Sequence, residues 1–224
     1  APEQLRGRIV ATPQAGNSQD VALRTWLKDN SLAIGDGPGE VIVANIDNAR
    51  TLDLYRSGEI SGGWLPEPWT SRMVAAGATV LVDEASLWPG GRFPTTVLVV
   101  RTEYLQRHPE TIEALLRGEQ RAIEVTRTDP ADAKAVTNEA IRRLTGSALA
   151  PAVLDRAFDK LAFSNDPLAA TFPQLARHSV TAGALPTMVD LRGFVDLTVL
   201  NRVRRAAGQP AAAAAGLDNQ GRDR

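Results

Sequence analysis

The segment Thr12–Asp20 carries the residue types that bind small anions. It has the sequence Thr-Pro-Gln-Ala-Gly-Asn-Ser-Gln-Asp and follows a short apolar run over residues 8–11. The run predicts a β-strand, the Pro and Gly predict a loop, and Asn17 or Ser18 can begin a helix. A strand that enters a helix through such a loop leaves backbone N–H groups unpaired at the positive end of the helix dipole. The pattern therefore predicts a site for a small anion.

A second segment places two tryptophans and a carboxylate behind another predicted strand, Ile60–Leu65. Trp64 lies near the end of that strand, Pro-Glu-Pro then fixes an extended turn, and Trp69 begins a helix. Two interpretations stay open. Glu67 can simply stabilise the N-terminus of the helix while the rings fill the core. Alternatively, the rings line a cleft and contact the apolar part of a ligand.

A third segment, Leu87–Thr96, joins two predicted strands and contains Gly90-Gly91-Arg92. The glycines permit a tight turn or a close approach to a ligand, and Arg92 can bind an anion through two hydrogen bonds. The alternative is an ordinary turn with a solvated arginine. The acidic pair Asp83-Glu84, just upstream, has no partner pattern, and we expect it to be solvated.

The sequence offers no arrangement typical of catalysis or of metal binding. It has no Gly-x-Ser-x-Gly, Ser-x-x-Lys, His-Glu-x-x-His or P-loop motif. It has no cysteine and only three lysines, and we expect Lys28 to be exposed at a helix end. The two histidines, His108 and His178, are isolated, and we expect both at helix ends or on the surface. We therefore predict a binding site without catalytic residues, metal or cofactor.

Charge and hydropathy argue against nucleic-acid binding and against a membrane-spanning helix. The formal net charge is −1, acidic and basic residues are mixed along the chain, and no basic stripe is present, which argues against nucleic-acid binding. No apolar run reaches the ~18 residues of a membrane-spanning helix. No signal peptide is recognisable either.

Strand and helix patterns alternate up to about residue 83, which predicts an α/β fold with a mainly parallel sheet. In such sheets ligands bind at the carboxyl ends of the strands, where the Thr12–Asp20 loop falls. The predicted strands cover residues 8–11, 41–44, 60–65 and 79–82, and the predicted helices cover residues 18–28, 48–55 and 69–76.

The second half is dominated by predicted helices. Pro109, Pro130 and Pro151 each stand at a position that favours the first turn of a helix. The predicted helices cover residues 110–127, 131–145, 152–160, 167–182 and 196–206, with strands over 95–100 and 161–164. Pro173 should break or kink the helix that contains it. The Ala-rich segment 209–224 predicts a disordered tail.

Three motifs together resemble those of a known family. Gly7–Arg24, the block from Gly58 to Trp69, and Trp88–Phe93 are similar to segments of periplasmic-type substrate-binding proteins. These proteins serve ABC importers for aliphatic sulfonates, taurine, nitrate and bicarbonate. His108-Pro109 and Asn165–Ala169 match the later pattern, and the resemblance extends from residue 4 to about 208. Ser61 departs from the family, which usually has Asp after the isoleucine.

The resemblance implies a periplasmic-binding-protein type II fold with two Rossmann-like lobes. Residues 4–93 would form the second lobe, residues 94–208 would return to the first lobe, and residues 209–224 would be a disordered tail. The N-terminal part of the first lobe has no counterpart here, so the resemblance implies a fragment whose ligand binding is weak or undetectable and which exposes apolar surface along an unpaired sheet edge. We expect a signal or lipid anchor in the missing part and a location in the periplasm or on the outer face of the cell membrane.

The resemblance also implies the site and the partners. The expected ligand is a small oxyanion, most simply an aliphatic sulfonate, and the expected partner is a membrane permease, with the chain itself a monomer. A Glu67 beside an anion would orient donors or hold an amine, as in taurine. The implied ligand-binding residues are Gln14, Gly16, Asn17 and Ser18 at the helix N-terminus, Trp64, Glu67 and Trp69 on the wall, and Arg92 near the crossing.

Three alternatives remain open. The first is a nitrate-, taurine- or bicarbonate-binding homologue. The second is an enzyme on the same lobes, because proteins of pyrimidine synthesis and of the menaquinone pathway resemble this fold. The third is the effector domain of a transcription regulator, which requires a helix-turn-helix upstream.

Overall fold

A computed structural model describes residues 1–219, which form an α/β structure divided into two compact units. The first unit contains residues 1–91, 150–161 and 174–189, and the second begins at Arg92 and contains residues 92–149, 162–173 and 190 onward. The predicted lobe boundary at 93/94 would have kept residues 150–161 and 174–189 with the later part of the chain. Those two segments instead belong to the first unit.

The first unit is built on a parallel sheet of three short strands. They are β1 (Ile9–Thr12), β2 (Ile42–Asn45) and β3 (Gly62–Gly63), in the order β2-β1-β3. Val10 is paired with Val43 on one side and with Gly62 on the other. Because β1 is the central strand, its residues from Val10 to Thr12 are buried, as expected for a parallel sheet covered on both faces.

Helices alternate with these strands, as the sequence predicted. They are α1 (Ser18–Asp29), α2 (Asn48–Ser57) and α3 (Trp69–Ala75). The helix α1 begins after Asn17, whose side-chain oxygen accepts the backbone N–H of Asp20 at 2.9 Å. Leu23 and Leu27 of α1 pack with Val10 of β1 in the core of this unit. The sheet and α1 therefore pack against each other, and this packing fixes the position of the Thr12–Asp20 loop that joins them.

The remaining α-helices of residues 1–219 are α4 (Thr102–Arg107), α5 (Pro109–Thr128), α6 (Pro130–Thr145), α7 (Pro151–Lys160), α8 (Phe172–Ala182) and α9 (Thr198–Ala206). Three of them begin at the predicted prolines. Pro109, Pro130 and Pro151 are each the first helical residue. The helix predicted from residue 167 begins only at Phe172, because Pro173 is tolerated in a first turn but not inside a helix. No helix within residues 1–219 is long and apolar enough to cross a bilayer.

Three predicted strands were wrong. Among the described residues, the segments 79–82, 95–100 and 161–164 form no strand, and the strand predicted over 60–65 shortens to Gly62–Gly63. Apolar β-branched residues favour extended backbone, but a strand also needs a neighbour for its N–H and C=O groups. In the segment 95–100 this leaves apolar side chains in solvent, with Val99 80% exposed.

The described part of the predicted disordered tail packs against α9. Asn201 donates from Nδ2 to the carbonyl of Ala212 at 3.1 Å and accepts the Ala212 N–H at 2.8 Å. Ala212 and Leu217 are buried in the core of the second unit. Two reciprocal hydrogen bonds and two buried side chains therefore hold residues 209–219, whereas residues 220–224 of the predicted tail lie outside the described residues.

Candidate functional site

The candidate site lies at the carboxyl edge of the sheet, where β1, β2 and β3 all end. Thr12 is the last residue of β1, Asn45 is the last residue of β2, and Trp64 directly follows β3. Because the strands are parallel, these three residues come from one edge of the sheet. We call this region the carboxyl edge.

A buried carboxylate, Asp20, organises the carboxyl edge. Its Oδ1 accepts hydrogen bonds from Thr12 Oγ1 and from Asn45 Nδ2, both at 2.9 Å. Its Oδ2 accepts the Gly16 backbone N–H at 3.0 Å and Arg24 Nε at 2.9 Å. One side chain therefore joins the ends of two strands, the loop and α1.

The four hydrogen bonds keep Asp20 ionised. Burial by itself raises the pKa of a carboxyl group, because it disfavours the charged form. The hydrogen bonds from Gly16, Arg24, Asn45 and Thr12 favour the carboxylate more strongly, and the pKa of Asp20 falls below its ordinary value. The carboxyl edge consequently contains a fixed negative charge, with the Arg24 guanidinium beside it.

Asp20 already uses part of the anion site that the sequence predicted at the N-terminus of α1. The N–H of Gly16 and the side-chain oxygen of Asn17 are both occupied by Asp20. The backbone N–H groups of Ser18 and Gln19 have no hydrogen-bond partner among residues 1–219. Gln14 and Ser18 are exposed. Of the four residues predicted here, Ser18 and Gln14 stay available, while Gly16 and Asn17 have internal roles.

Trp64 is held from two sides. Its Nε1–H donates to Glu84 Oε2 at 2.6 Å, and its ring lies 5.9 Å from the buried ring of Trp26 at an interplanar angle of 52°. Trp26 belongs to α1, so this contact connects the helix behind the loop to the end of β3. The half-buried Trp64 ring is therefore fixed at the carboxyl edge, where the sequence predicted an aromatic wall.

Glu67 stabilises the start of α3. Its Oε2 accepts the backbone N–H of Ser71 at 3.1 Å, which confirms the helix-capping interpretation for this carboxylate. Trp69, the first residue of α3, has the Arg72 guanidinium 4.6 Å from its ring centroid, at a distance typical of a cation–π contact. A role for Glu67 or Trp69 toward a ligand stays a prediction.

Glu84 is the residue that the sequence analysis missed. We expected a solvated acidic pair, but Glu84 accepts the indole N–H of Trp64 and, at 3.4 Å, that of Trp88. Burial raises the pKa of Glu84 despite these two hydrogen bonds, and the neighbouring Asp83 raises it further. Asp83 itself forms an ion pair with Lys160 at 2.8 Å. Local sequence gave no signal for the contact with Trp64, because that tryptophan lies twenty residues earlier in the chain.

His178 is also more enclosed than expected. Its imidazole lies 5.4 Å from the buried ring of Trp88, and burial lowers its pKa. The Thr25 hydroxyl of α1 donates to the His178 carbonyl at 3.2 Å. The last turns of α8 therefore pack beside α1, within the first unit.

Arg92, the last predicted site residue, is the first residue of the second unit. Its side chain is exposed and belongs to the segment that follows the Pro89–Gly91 turn. Its role as a contact for an anion stays a prediction.

Comparison with solved structures supports the predicted fold. The crystal structure of the periplasmic aliphatic sulphonate binding protein SsuA from Escherichia coli superimposes with a TM-score of 0.63 and 21% identity. The match covers 85% of this chain and 59% of that chain. The periplasmic-binding-protein fold predicted from the sequence is thereby confirmed.

Sequence comparison gives the family. A taurine-binding periplasmic protein of Escherichia coli (strain K12) is 26% identical over 120 residues, which are 52% of this chain and 35% of that protein. This chain thus spans little more than a third of that relative's length. The pattern of the NMT1-like family matches residues 2–141, more than half of the sequence. The chain therefore belongs to the NMT1-like family.

Proposed function

We propose that the chain belongs to the substrate-binding component of an ABC importer and binds a small oxyanion, most simply an aliphatic sulfonate. The observation that carries the proposal is the pair of unpaired N–H groups, Ser18 and Gln19, at the N-terminus of α1 on the carboxyl edge. Backbone N–H groups at a helix N-terminus bind anions because the helix dipole adds its positive end to the hydrogen bonds. The names of the two relatives, one for taurine and one for aliphatic sulphonates, support a sulfonate.

The neighbouring side chains suit an organic sulfonate better than a bare inorganic anion. The Trp64 ring lies next to the end of β3, and an aromatic face can pack against the carbon chain of such a ligand. Asp20 places a negative charge close to the N-terminus of α1, which disfavours ligands of high negative charge. A monovalent sulfonate is therefore the preferred ligand, and nitrate and bicarbonate are the alternatives.

The experiment is an NMR titration of the ¹⁵N-labelled chain with taurine and with ethanesulfonate. We expect the largest amide shift changes at Ser18 and Gln19, since their N–H groups donate to the ligand. Two variants at residue 18 distinguish the contribution of the backbone N–H to binding from that of the side chain. Ser18→Pro removes the N–H, and the helix tolerates it because proline favours the first helical position and Asn17 is already extended. Ser18→Ala keeps the N–H and is the matched control.

We expect Ser18→Pro to weaken taurine binding about tenfold, because the variant loses one hydrogen bond to a charged group. Ser18→Ala should bind nearly as the parent chain does. Equal affinity of all three proteins would overturn the proposed site. Amide changes that are absent at millimolar taurine, ethanesulfonate, nitrate and bicarbonate would overturn the proposed function.

Glu67 offers a test of ligand choice within this proposal. One carboxylate oxygen caps α3, and the other is proposed to hold the amine of taurine. Glu67→Gln should then weaken taurine binding but not the binding of ethanesulfonate, which has no amine. Equal loss for both ligands would instead assign Glu67 a purely structural role.

The further parts of the proposal concern the whole protein. We propose that it works in the periplasm or on the outer face of the membrane, and that it delivers its ligand to a permease without transforming it. The names of the relatives, both periplasmic binding proteins, support this assignment. Turnover of taurine, or of an intermediate of pyrimidine or menaquinone synthesis, would favour the enzyme alternative.

A further inference from the structure

Glu84 joins two tryptophans that come from different parts of the chain. Trp64 follows β3, whereas Trp88 follows a 3₁₀ helix over Glu84–Leu87. Both indole N–H groups donate to the same carboxylate, Trp64 to Oε2 at 2.6 Å and Trp88 to Oε1 at 3.4 Å. Each carboxylate oxygen thus fixes the polar edge of one ring.

Each of the two rings also packs against a further aromatic ring, and the indole N–H of Trp64 donates to Glu84. Trp26 packs against Trp64 at a tilt, and His178 packs against Trp88 in the same way. Ring packing of this kind limits where an aromatic side chain lies, but tilted contacts tolerate changes in the χ1 and χ2 torsions that orient the ring. A hydrogen bond at the N–H narrows that range, because it is directional.

The backbone around Glu84 is itself anchored. Asp83 caps the 3₁₀ helix by accepting the Ala85 N–H at 3.2 Å, and its carboxylate also binds Lys160 of α7 at 2.8 Å. The Ser86 hydroxyl donates to the Asp83 carbonyl at 2.7 Å. Glu84 therefore reaches Trp64 from a segment that is tied to a neighbouring helix.

The burial of Glu84 is costly, which argues that it has a positioning role. A carboxylate in this environment gives up water and receives two indole donors from residues 1–219 in exchange, and burial raises its pKa accordingly. A solvated acid of the same turn would carry no such cost, as the partly exposed Asp83 illustrates.

We propose that Glu84 is a positioning residue that fixes the orientation of the Trp64 ring at the carboxyl edge and thereby sets the affinity for a sulfonate. The second half of this inference rests on the proposed function. The first half concerns the free protein alone. The two halves are tested by separate measurements.

The first measurement follows the indole Nε1–H resonances of the ¹⁵N-labelled chain without ligand, with Trp64 assigned from Trp64→Phe. We expect Glu84→Ala to accelerate solvent exchange of the Trp64 indole proton by about tenfold or more, since it loses its acceptor. Glu84→Gln keeps one acceptor oxygen, so its exchange rate should be intermediate. Asp53→Asn, the matched control, removes a charge from an exposed acid of α2 in the same unit, without touching Glu84 or an indole, and should leave the rate unchanged.

Unchanged exchange in both Glu84 variants, or an equal change in Asp53→Asn, would overturn the positioning role. Should Glu84→Ala fail to give a dispersed spectrum, the comparison of Glu84→Gln with Asp53→Asn still decides the question.

The second measurement is a double-mutant cycle for taurine binding. We expect Glu84→Ala to weaken binding about tenfold in the parent chain, by loss of a preorganised contact. In a Trp64→Phe background the same change should have no further effect, because Glu84 acts through Trp64. An undiminished effect in that background would overturn the inference. Absence of taurine and ethanesulfonate binding to the parent chain would instead count against the proposed function, while the indole measurement still decides whether Glu84 orients Trp64.

Discussion

The Asp20 carboxylate accepts the Gly16 backbone N–H at 3.0 Å, so the N-terminus of α1 already has a negative group of the protein's own. This contact closes the loop onto the helix and uses a donor that the sequence had assigned to the ligand. The anion of the proposed function would then bind farther along the first turn, at Ser18 and Gln19, with the Arg24 guanidinium beside Asp20 to offset part of the repulsion. Within residues 1–219, this first turn keeps two unpaired backbone donors, those of Ser18 and Gln19.

Asp20→Asn should destabilise the first unit. The amide keeps one acceptor oxygen but turns an NH₂ group toward donors, and Arg24 loses its counter-charge. We expect the free energy of unfolding to fall by about 2 kcal/mol, within the range for hydrogen bonds to buried charged groups. Urea denaturation measures the change. Asp53→Asn, at an exposed acid of α2, is the control and should stay within about 0.5 kcal/mol of the parent chain. Equal stability of the two variants would contradict the central role of Asp20.

The same carboxylate should make stability depend on pH in the acid range. Because the pKa of Asp20 is lowered in the folded state, its contribution is fully present above its ordinary value of 3.8. The contribution is lost as the pH falls through the lowered folded pKa. The difference in unfolding free energy between the parent chain and Asp20→Asn should therefore be constant at pH 5–7 and shrink below the ordinary pKa. A difference that is independent of pH down to acid unfolding would show that Asp20 acts through shape rather than charge.

Local signals in the sequence predicted the parts of this fold that depend on neighbours in the chain. Asn17 caps α1, Gly58 ends α2 in the left-handed conformation, and Pro109 begins α5, as their residue types indicate. The position of the loop at the carboxyl edge followed from the alternation of strand and helix.

Partners distant in the chain were beyond the reach of the sequence. Nothing near Glu84 indicates that its carboxylate meets Trp64, twenty residues earlier. Likewise, the run Thr95–Val100 has the composition of a strand, but composition does not supply the neighbouring strand that a ladder needs. The sequence thus predicted where the candidate site lies. It did not predict that Asp20 and Glu84 would accept the hydrogen bonds of Gly16 and Trp64 at this edge.

The two glycines of β3 should differ sharply in their tolerance of alanine. A Cβ on Gly63 would lie 3.1 Å from the Ala11 carbonyl oxygen and 3.2 Å from Leu65 Cγ, whereas a Cβ on Gly62 would meet no atom within 4 Å. Gly63→Ala should therefore push β3 away from β1 and lower the free energy of unfolding by about 1–3 kcal/mol. Gly62→Ala is the matched control. Urea denaturation of both variants checks this, and similar stabilities would mean that β3 shifts freely.

The unpaired run Thr95–Val100 should make the chain prone to aggregate. It combines β-branched residues, no charge and high exposure, which is the pattern of segments that add strands to one another. Val99→Lys places a charge in the run and should reduce light scattering during heating. Leu144→Lys is the matched control, because Leu144 is 85% exposed but lies on α6. If both variants reduce scattering equally, exposed apolar area alone drives association. A reduction confined to Val99→Lys identifies the run Thr95–Val100 as the cause, since this run lies outside the helices and its backbone N–H and C=O groups can pair with a second chain.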